Sequence, residues 1–261
     1  MREGFGSNDT DRLPAGAQHT RLTRMVKRAT LAELAWPDVH HVAAPTLLVP
    51  VGSLEQHGPH LPLDTDTRIA RAIAQQASAA AASESLLLAP EIAYGASGEH
   101  EGFAGTVSLG HEALNSLLLE YGRSACRWAG RVLFVNGHGG NVATLRAAVT
   151  RLRYEARDVA WYPCVFPGAD AHAGHTETSI LLHLSPDLVR GNALEQGNDS
   201  PITELIGALR EGGVAAVSAN GVLGDPRGST AAHGAKLVTD AVRELVRALR
   251  DWTVDDGGRL R

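Results

Sequence analysis

Cysteine is scarce in this chain. Its 261 residues include two cysteines, Cys126 and Cys164, which lie far apart in the sequence. They form neither the spacing of a zinc knuckle nor a Cys-x-x-Cys redox motif, which argues against a thiolate metal site and a dithiol redox function. Both stand in apolar segments, and this predicts that they pack in the core.

Long apolar runs are also missing. No stretch approaches the roughly 18–20 apolar residues that a membrane-spanning helix needs. The N-terminal region has no apolar segment of the kind that a secretory signal contains. We therefore expect no membrane association and a cytoplasmic location.

An excess of basic residues is absent too. The chain has 24 Lys and Arg against 29 Asp and Glu, a formal charge of −5. This balance does not favour a nucleic-acid partner or an anionic membrane surface. Residues 1–28 differ, with six Lys or Arg, three Asp or Glu and few large aliphatics. That composition predicts a disordered leader over 1–28, followed by one domain over 29–261.

Several catalytic signatures are missing as well. The sequence contains no HExxH, no GxSxG, no Walker loop and no GxGxxG after the first predicted strand. These absences argue against a zincin, an α/β-hydrolase, an NTPase and a dinucleotide-dependent enzyme.

What is present, from about residue 31 onward, is an alternation of short apolar runs with longer amphipathic ones. The short runs predict strands over 45–52, 85–95, 131–137 and 158–166. The longer runs predict helices over 66–82, 110–130, 141–157 and about 230–252, with a further helix beginning at Glu177. Near-continuous apolar strands that alternate with helices indicate βαβ units. The sequence therefore predicts an α/β fold, a mostly parallel sheet with helices on both faces.

Histidines and carboxylates concentrate just after these strands. GSLEQHGPHLPLDTD follows the first strand, GASGEHEGFAGT the second, NGHGGN the third and PGADAHAGHTET the fourth. In open α/β sheets, ligands bind beyond the carboxyl ends of the strands. We therefore expect these polar side chains to meet at one edge of the sheet.

Five of these side chains are candidate metal ligands: Glu55, His57, Asp66, His138 and Glu177. Glu55 and His57 are two residues apart, so both point the same way in an extended segment. A ligand set of nitrogen and oxygen without thiolate suits Zn, Mn or Fe(II). Because five ligands exceed the three usual for one catalytic zinc, we expect two divalent ions that share a bridging carboxylate.

Each candidate taken alone has a simpler interpretation. A lone loop histidine is more often held by hydrogen bonds than by a metal, and a lone carboxylate more often caps a helix or faces solvent. The segment NGHGGN alone fits a flexible turn or an anion-binding nest. Further residues are candidates for supporting the ligands or contacting substrate: His60, Asp64, Glu99, His100 and His175. Three histidines in predicted helices are expected to be structural: His111, His183 and His233.

Five motifs in order give the chain a resemblance to a known family. They are VPVGSLEQHGPHLPLDTDT, YGASGEHEGFAGTVSLG, LFVNGHGGN, HAGHTETS and GDPRGSTAAHGAKL, and they extend over about residues 31–250. With these motifs the chain resembles the creatininase family of metal-dependent amidohydrolases. The resemblance implies a creatininase-like fold, a site with two metal ions, hydrolysis of a C–N bond and a homo-oligomer, commonly a hexamer.

The resemblance also implies roles for individual residues. Glu55, His57, Asp66 and His138 match ligands of the family, with Asp66 as the bridge between the two ions. His172 matches the family's catalytic histidine, which implies that it gives a proton to the leaving nitrogen.

Two positions depart from the family pattern. Creatininase carries a glutamate ligand two residues after the histidine of its NGH motif, where this chain has Gly140. Glu177, in the ETS motif of the family, is the candidate to replace it, and we expect a catalytic as well as a ligand role for Glu177. Many relatives read HAGE where this chain reads HAGH, so His175 is expected to alter the substrate pocket or the second metal site.

One branch of the family is indicated by the segment YGASGEHEGF, which resembles the creatininase-like peptidases of mycofactocin biosynthesis. That resemblance implies a modified precursor peptide as substrate and release of a C-terminal Val-Tyr dipeptide. Two alternatives stay open. One is the same chemistry on a small cyclic amide or a formamide, and the other is a metal-binding or regulatory module without catalysis.

Overall fold

The computed structural model describes residues 30–81 and 85–261, so the leader expected over 1–28 lies outside the described residues. This part of the chain contains four β-strands and seven α-helices. The strands are β1 (Thr46–Val51), β2 (Leu86–Leu88), β3 (Arg131–Asn136) and β4 (Val159–Pro163). The helices are α1 (Trp36–His40), α2 (Thr65–Ala80), α3 (Gly110–Ala125), α4 (Val142–Tyr154), α5 (His175–Leu184), α6 (Ile202–Gly212) and α7 (Ala231–Asp251).

The four strands form one parallel sheet in the order β2-β1-β3-β4. Strand β1 pairs with β2 on one side and with β3 on the other, in a register that places Val51 beside Asn136. The strand order reverses between β1 and β3, and such a reversal leaves a crevice beyond the carboxyl ends of the two strands. The loops that follow Val51 and Asn136 therefore start side by side, as the sequence predicts.

Different helices cover the two faces of the sheet. In β1, Leu48 packs into a core with α2, α5 and α7, whereas Leu47 packs into a second core with α3 and α4. In β3, Leu133 and Phe134 divide between the same two cores, because successive strand residues point to opposite faces. Burial of each such side chain contributes about 1.5–3 kcal/mol. The predicted parallel sheet with helices on both faces is confirmed.

The longest helix, α7, fixes the position of α5. A Cβ atom at Gly234 of α7 would lie 1.9 Å from the carbonyl oxygen of Ser179 in α5, so only a glycine allows the two helices to approach this closely. Glu177 lies in the first turn of α5 and is held in place by this contact. None of the described helices combines the length and the apolar character that crossing a bilayer requires.

Two predicted elements exceed the observed ones by the largest margins. The predicted strand 85–95 is wrong in length, since β2 ends at Leu88. The chain leaves the sheet around Pro90, which has no amide hydrogen to donate, and rejoins β1 where the Ile92 amide donates to the Pro50 carbonyl at 2.9 Å. The predicted helix 110–130 is also too long, since α3 ends at Ala125.

One helix that contributes to the site was not predicted. Helix α6 carries Ile202, Leu205, Ile206 and Leu209 at the spacing i, i+3, i+4 and i+7, which is the pattern of an amphipathic helix. The signal was therefore present in the sequence. The helix packs against the 3₁₀ turns at 98–100 and 214–216.

Both cysteines are free thiols packed against the cores, as predicted. Cys126 lies against the core under α3 and α4, and Cys164 lies against the core under α2, α5 and α7.

Candidate metal centre

The segment after β1 folds back on itself and brings three candidate ligands together. The Glu55 amide donates to the Leu63 carbonyl at 3.0 Å, which closes a loop whose turn includes Gly58 at φ +65°. The loop delivers Asp66 to the first turn of α2, beneath the end of β1. Glu55, His57 and Asp66 are all buried, with 0%, 0% and 2% of their surface exposed.

His57 is oriented by its own backbone. Its Nδ1 donates to the Glu55 carbonyl at 3.1 Å, so Nε2 carries the lone pair whenever the ring is neutral. That Nε2 lies 3.2 Å from Asp66 Oδ1 and 3.9 Å from Glu177 Oε2. A histidine fixed in this way presents a metal ligand in a single tautomer.

His138, after β3, is oriented in the opposite sense. Its Nε2 donates to the Ala96 carbonyl at 3.0 Å, which leaves Nδ1 with the lone pair whenever the ring is neutral. Nδ1 lies 3.2 Å from Glu55 Oε1 and 3.1 Å from Asp66 Oδ2. The loop is held by Asn136, whose side-chain amide donates to the His138 carbonyl at 2.6 Å.

Asp66 stands between the two histidines and uses a different oxygen for each. Oδ1 faces His57 and Oδ2 faces His138, while the Ser53 hydroxyl donates to Oδ2 at 2.7 Å. A carboxylate with its two oxygens aimed at two separate ligand nitrogens has the arrangement of a bridge between two metal ions.

Glu55 is the strongest sign that a cation belongs here. Its side chain is buried, and the described groups nearest to its carboxylate are histidine nitrogens, His138 Nδ1 at 3.2 Å and His100 Nε2 at 3.3 Å from Oε1. Burying such a charge costs several kcal/mol unless a counter-charge or a metal compensates it. Ligand atoms of three overlapping sets lie within 4.8 Å of one another: Glu55, His57 and Asp66; His57, His172 and Glu177; Glu55, His100 and His172. The donor atoms present fit divalent metal ions.

Glu177 completes the side of the cluster next to His57. Its Oε2 accepts a hydrogen bond from the Ala173 amide at 2.6 Å. Nearby, Asp170 caps the start of α5 by accepting a hydrogen bond from the Thr176 amide at 3.1 Å. Burial raises the pKa of Glu177 to about 7. A carboxyl group that loses its proton this close to neutrality is suited to metal binding or to proton transfer.

The carboxylates of the cluster raise the pKa values of two of its histidines. Burial opposes protonation of His57, but the charge and hydrogen bond of Asp66 outweigh it and raise the pKa of His57 to about 10. In the same way Glu55 and Asp66 outweigh burial and raise the pKa of His138 well above its usual value. In the metal-free site, imidazolium protons therefore provide the positive charge that the buried carboxylates require.

His172 reaches the cluster from the loop before α5. Its Nε2 donates to the Gln56 carbonyl at 2.8 Å, and its Nδ1 lies 4.0 Å from Glu55 Oε1. Burial depresses the pKa of His172 well below its usual value, so the imidazole is neutral and Nδ1 is free to accept a proton.

Sequence reasoning underrated His100 and missed Gln56. The Gln56 side-chain amide donates to His100 Nδ1 at 2.9 Å, which leaves the proton on Nε2, 3.3 Å from Glu55 Oε1. His100 follows the second strand, as the candidate ligands follow the first and third, so its position was a usable signal. Gln56 gave no such signal, because it is an uncharged residue between the two candidate ligands Glu55 and His57.

Four residues considered from the sequence stay outside the cluster. His60 is buried with Nε2 2.9 Å from Thr178 Oγ1, and burial lowers its pKa to about 4. Asp64 pairs with Arg68 at 2.7 Å. The rings of His175 and His233 pack against each other with centroids 5.0 Å apart.

The cluster opens into a cavity of about 300 Å³. Asp66, His138, His172 and Glu177 line its polar wall together with the backbone of 137–140. Apolar side chains close the other wall: Ile202, Leu209, Val214 and Leu223. The previously unpredicted α6 supplies two of these four.

A family model described as creatinine amidohydrolase matches residues 32–249. The chain belongs to the creatininase family. It is a metal-dependent amidohydrolase, an enzyme that hydrolyses C–N bonds.

Relatives within the creatininase family differ in what their names say they act on. A mycofactocin precursor peptide peptidase of Mycolicibacterium smegmatis is 57% identical over 223 residues, covering 84% of this chain and 90% of the relative. A creatinine amidohydrolase of Pseudomonas putida is 32% identical over 198 residues, covering 63% and 75%. Among solved structures, a mutant creatininase of the Zn-Zn type has a TM-score of 0.70 at 24% identity, covering 85% of this chain and 97% of its own. This likeness shows a creatininase fold.

The position at which this creatininase-family chain carries Gly140 is filled by another residue's carboxylate. A Cβ atom at Gly140 would lie 2.6 Å from Glu99 Oε1 and 2.4 Å from His138 Nε2. Glu99 Oε1 itself lies 3.6 Å from His138 Nε2. The carboxylate beside Gly140 is therefore that of Glu99, whereas the carboxylate of Glu177 lies beside His57.

Proposed function

We propose that this chain is the peptidase that hydrolyses an amide bond near the C-terminus of the modified precursor peptide in mycofactocin biosynthesis. The proposal rests on one structural observation, the buried Asp66 with its two oxygens towards His57 and His138. The peptide substrate is supported by the name of the relative that is 57% identical over most of both chains.

The proposed centre holds two divalent ions, Zn, Mn or Fe(II). His57 and Glu177 lie on one side of Asp66, Glu55 and His138 lie on the other, and these five residues are the proposed ligands. Bound there, such ions would polarise the amide carbonyl and lower the pKa of a coordinated water from about 15.7 towards 7.

His172 is the proposed proton carrier. Its neutral Nδ1 faces the cluster, so it accepts a proton from the attacking water and passes it to the departing nitrogen. Its Nε2 is committed to the Gln56 carbonyl, which holds the ring in one orientation throughout the transfer. Glu177, whose pKa of about 7 lies near the working range, is the second proposed catalytic group.

Water addition divides the substrate into a carboxylate and an amine. We propose that the amine product is a C-terminal Val-Tyr dipeptide and that the remaining, larger fragment carries the new carboxylate. The glycine-rich backbone of 137–140 along the cavity wall lets an extended peptide approach the centre closely.

A second candidate is hydrolysis of a small cyclic amide or a formamide. The observation in its favour is the 32% identity to a creatinine amidohydrolase, together with a cavity of only about 300 Å³ around the centre. A metal-binding module without catalysis predicts bound metal and no hydrolysis of any amide.

The test measures metal content and cleavage on the same samples. Wild-type protein should carry two metals per chain and release a dipeptide from the modified precursor, and chelation should abolish release. Glu177→Gln should lose one metal. Glu112→Gln is the matched control, since Glu112 also lies in the first turn of a helix but is exposed. Turnover of creatinine with no cleavage of the peptide would favour the second candidate, and metal without any turnover would favour the binding module.

A further inference from the structure

Both polar atoms of the Gln56 side chain form hydrogen bonds. The two hydrogens on its Nε2 go to the Gly221 carbonyl at 3.1 Å and to His100 Nδ1 at 2.9 Å, and its Oε1 accepts from the Gly58 amide at 2.9 Å. The side-chain amide cannot be turned over, because a backbone carbonyl only accepts and a backbone amide only donates. Gln56 is therefore fixed as a donor towards His100.

Gly221 makes this arrangement possible. Its φ is +79°, and a Cβ atom at this position would lie 2.0 Å from Gln56 Oε1. A glycine satisfies both the backbone conformation and the lack of space. The backbone on either side of the Gln56 side chain is thus shaped to hold it in one orientation.

His100 is consequently held in one tautomer. Because its Nδ1 accepts the hydrogen of the Gln56 amide, the proton of the neutral ring is on Nε2. The ring is buried and lines the cavity of about 300 Å³ around the metal centre. Its Nε2 lies 3.3 Å from Glu55 Oε1. His100 therefore presents an N–H donor, and not a lone pair, on the side of its ring that faces the centre.

The backbone of Gln56 fixes His172 in the opposite tautomer. The Gln56 carbonyl accepts a hydrogen bond from His172 Nε2 at 2.8 Å, so the lone pair is on Nδ1. The same Nε2 lies 3.1 Å from Gln56 Nε2, whose two hydrogens are already used by other acceptors. The rings of His100 and His172 lie with their centroids 4.4 Å apart. One glutamine thus holds two neighbouring histidines, one as a donor and the other as an acceptor.

The two histidines therefore differ in what they can do with a proton. His172 can take up a proton on Nδ1 and keep its hydrogen bond to the Gln56 carbonyl. A second proton on His100 would have to sit on Nδ1, against the N–H of Gln56. Loss of the proton on Nε2 would leave an imidazolate, which does not form near neutral pH. His100 is suited to act as a neutral hydrogen-bond donor, a role in which an imidazole polarises a carbonyl group.

We propose that His100 Nε2–H donates a hydrogen bond to the carbonyl oxygen of the scissile amide and stabilises the oxyanion that forms there. As the oxygen of water bonds to the carbonyl carbon, the electron pair of the C=O double bond moves to the carbonyl oxygen, and His172 Nδ1 takes a proton from the water. As the double bond forms again, the C–N bond breaks and the nitrogen takes that proton. The acid product gives its remaining proton to solvent, and His100 keeps its own throughout. The inference rests on the proposed hydrolysis with His172 as proton carrier and deepens it.

Two other roles for His100 make different predictions. Its Nε2–H could serve only to support Glu55, which it faces in the structure, and removal of such a group lowers metal affinity. Glu55, His100 and His172 also offer three donor atoms within 4.8 Å of one another, as metal ligands would. A ligand needs a lone pair on Nε2, however, and the hydrogen bond from Gln56 places the proton there. Both alternatives predict a loss of metal from a His100 variant, whereas an oxyanion donor predicts none.

The kinetic test compares His100→Asn with His100→Gln and measures the metal content of the same samples. Asparagine is too short to place a donor where Nε2 lies, whereas the amide nitrogen of glutamine reaches that position. His100→Asn should lower kcat by about 10²–10³-fold with a smaller change in KM, the usual effect of losing an oxyanion donor. His100→Gln should restore part of this loss, and both variants should keep the wild-type metal content. The control is His41→Asn, an exposed histidine outside the cavity lining.

Loss of metal from His100→Asn, or activity equal to that of the control, would overturn the proposal. The comparison is made on the modified precursor and on creatinine. If the wild type cleaves the precursor and the His100 variants match the control, the donor proposal has failed alone. If the wild type hydrolyses creatinine but no peptide, the peptidase function has failed, and a loss of kcat on creatinine in His100→Asn supports the donor.

Two further measurements test the donor without turnover. A phosphinic analogue of the peptide carries a tetrahedral, negatively charged group in place of the scissile amide. His100→Asn should weaken its binding to zinc-loaded protein about 10- to 100-fold, the usual worth of a hydrogen bond to a charged group. Nitrogen-15 NMR of histidine-labelled protein, with His100→Asn to assign the signal, should show the His100 proton on Nε2. Equal affinities for the analogue, or a proton on Nδ1, would overturn the proposal.

Discussion

Gly234 and Ser179 touch through the backbone, with the position of a Cβ on Gly234 only 1.9 Å from the Ser179 carbonyl oxygen. The contact sets the distance between α7 and α5, and thereby the position of Glu177. Gly234→Ala should destabilise the fold by about 1–3 kcal/mol through overpacking, although alanine is the better helix former. Urea denaturation measures this change in the free energy of unfolding. Gly207→Ala, in α6 with open space around it, is the control and should be neutral or stabilising by up to about 1 kcal/mol.

Removal of the metals should make stability depend on pH. The pKa of His57 is about 10 in the folded, metal-free protein and about 6.5 when unfolded. A raised folded pKa contributes stability below pH 6.5 that is lost as the pH rises towards 10, and His138 shifts in the same direction. The Tm of the chelated protein should therefore decrease as the pH rises from about 6.5 to about 10. The Tm of the metal-loaded protein should stay constant over this pH range, because its ligand nitrogens bind the metal and carry no proton. A parallel decrease of Tm in both samples would contradict the assignment of these ligands.

Substitution of His172 should reduce turnover without loss of metal. Because its Nδ1 carries the proton in the proposed reaction, His172→Asn should lower kcat by about 10²–10⁴-fold and flatten the pH profile of kcat. Elemental analysis should find the wild-type metal content. His183→Asn, an exposed histidine on α5, is the matched control, and loss of metal from the His172 variant would mark that residue as a ligand instead.

The Gln56 side chain should act through His100, whose ring it holds. Gln56→Leu removes the amide that donates to His100 Nδ1 and to the Gly221 carbonyl, so His100 loses its fixed tautomer. We expect activity to fall about 10- to 100-fold, the usual effect of losing a group that orients side chains around a metal site. The control is Gln76→Leu on the exposed face of α2, and a Gln56 variant as active as this control would exclude the orienting role.

Much of this site follows from local rules. Glu55 and His57 point the same way because they are two residues apart on extended backbone, and they lie near His138 because parallel strands end at one edge of the sheet. Asp66 returns to them because the glycine and prolines between force a turn and α2 begins there.

Other parts depend on contacts between segments distant in sequence. The 3₁₀ turn that contains His100, the placement of Glu99 beside Gly140 and the position of Glu177 beside His57 result from packing of α5, α6 and the loops. The hydrophobic periodicity of the sequence gives no information about such contacts. Helix α6 is different, because its apolar spacing is plain in the sequence and its packing partner is not.

The strand order has a consequence for how the enzyme matures. Because β1 and β3 are neighbours in the sheet but β2 and α3 lie between them in the chain, Glu55 and His138 meet only after a long loop has closed. Contacts between residues this far apart in the sequence form slowly, because the chain loses conformational entropy before the contacts contribute favourable energy. The proposed ligands should therefore come together late in folding, and the rate of metal uptake by refolding protein would report when the sheet is complete.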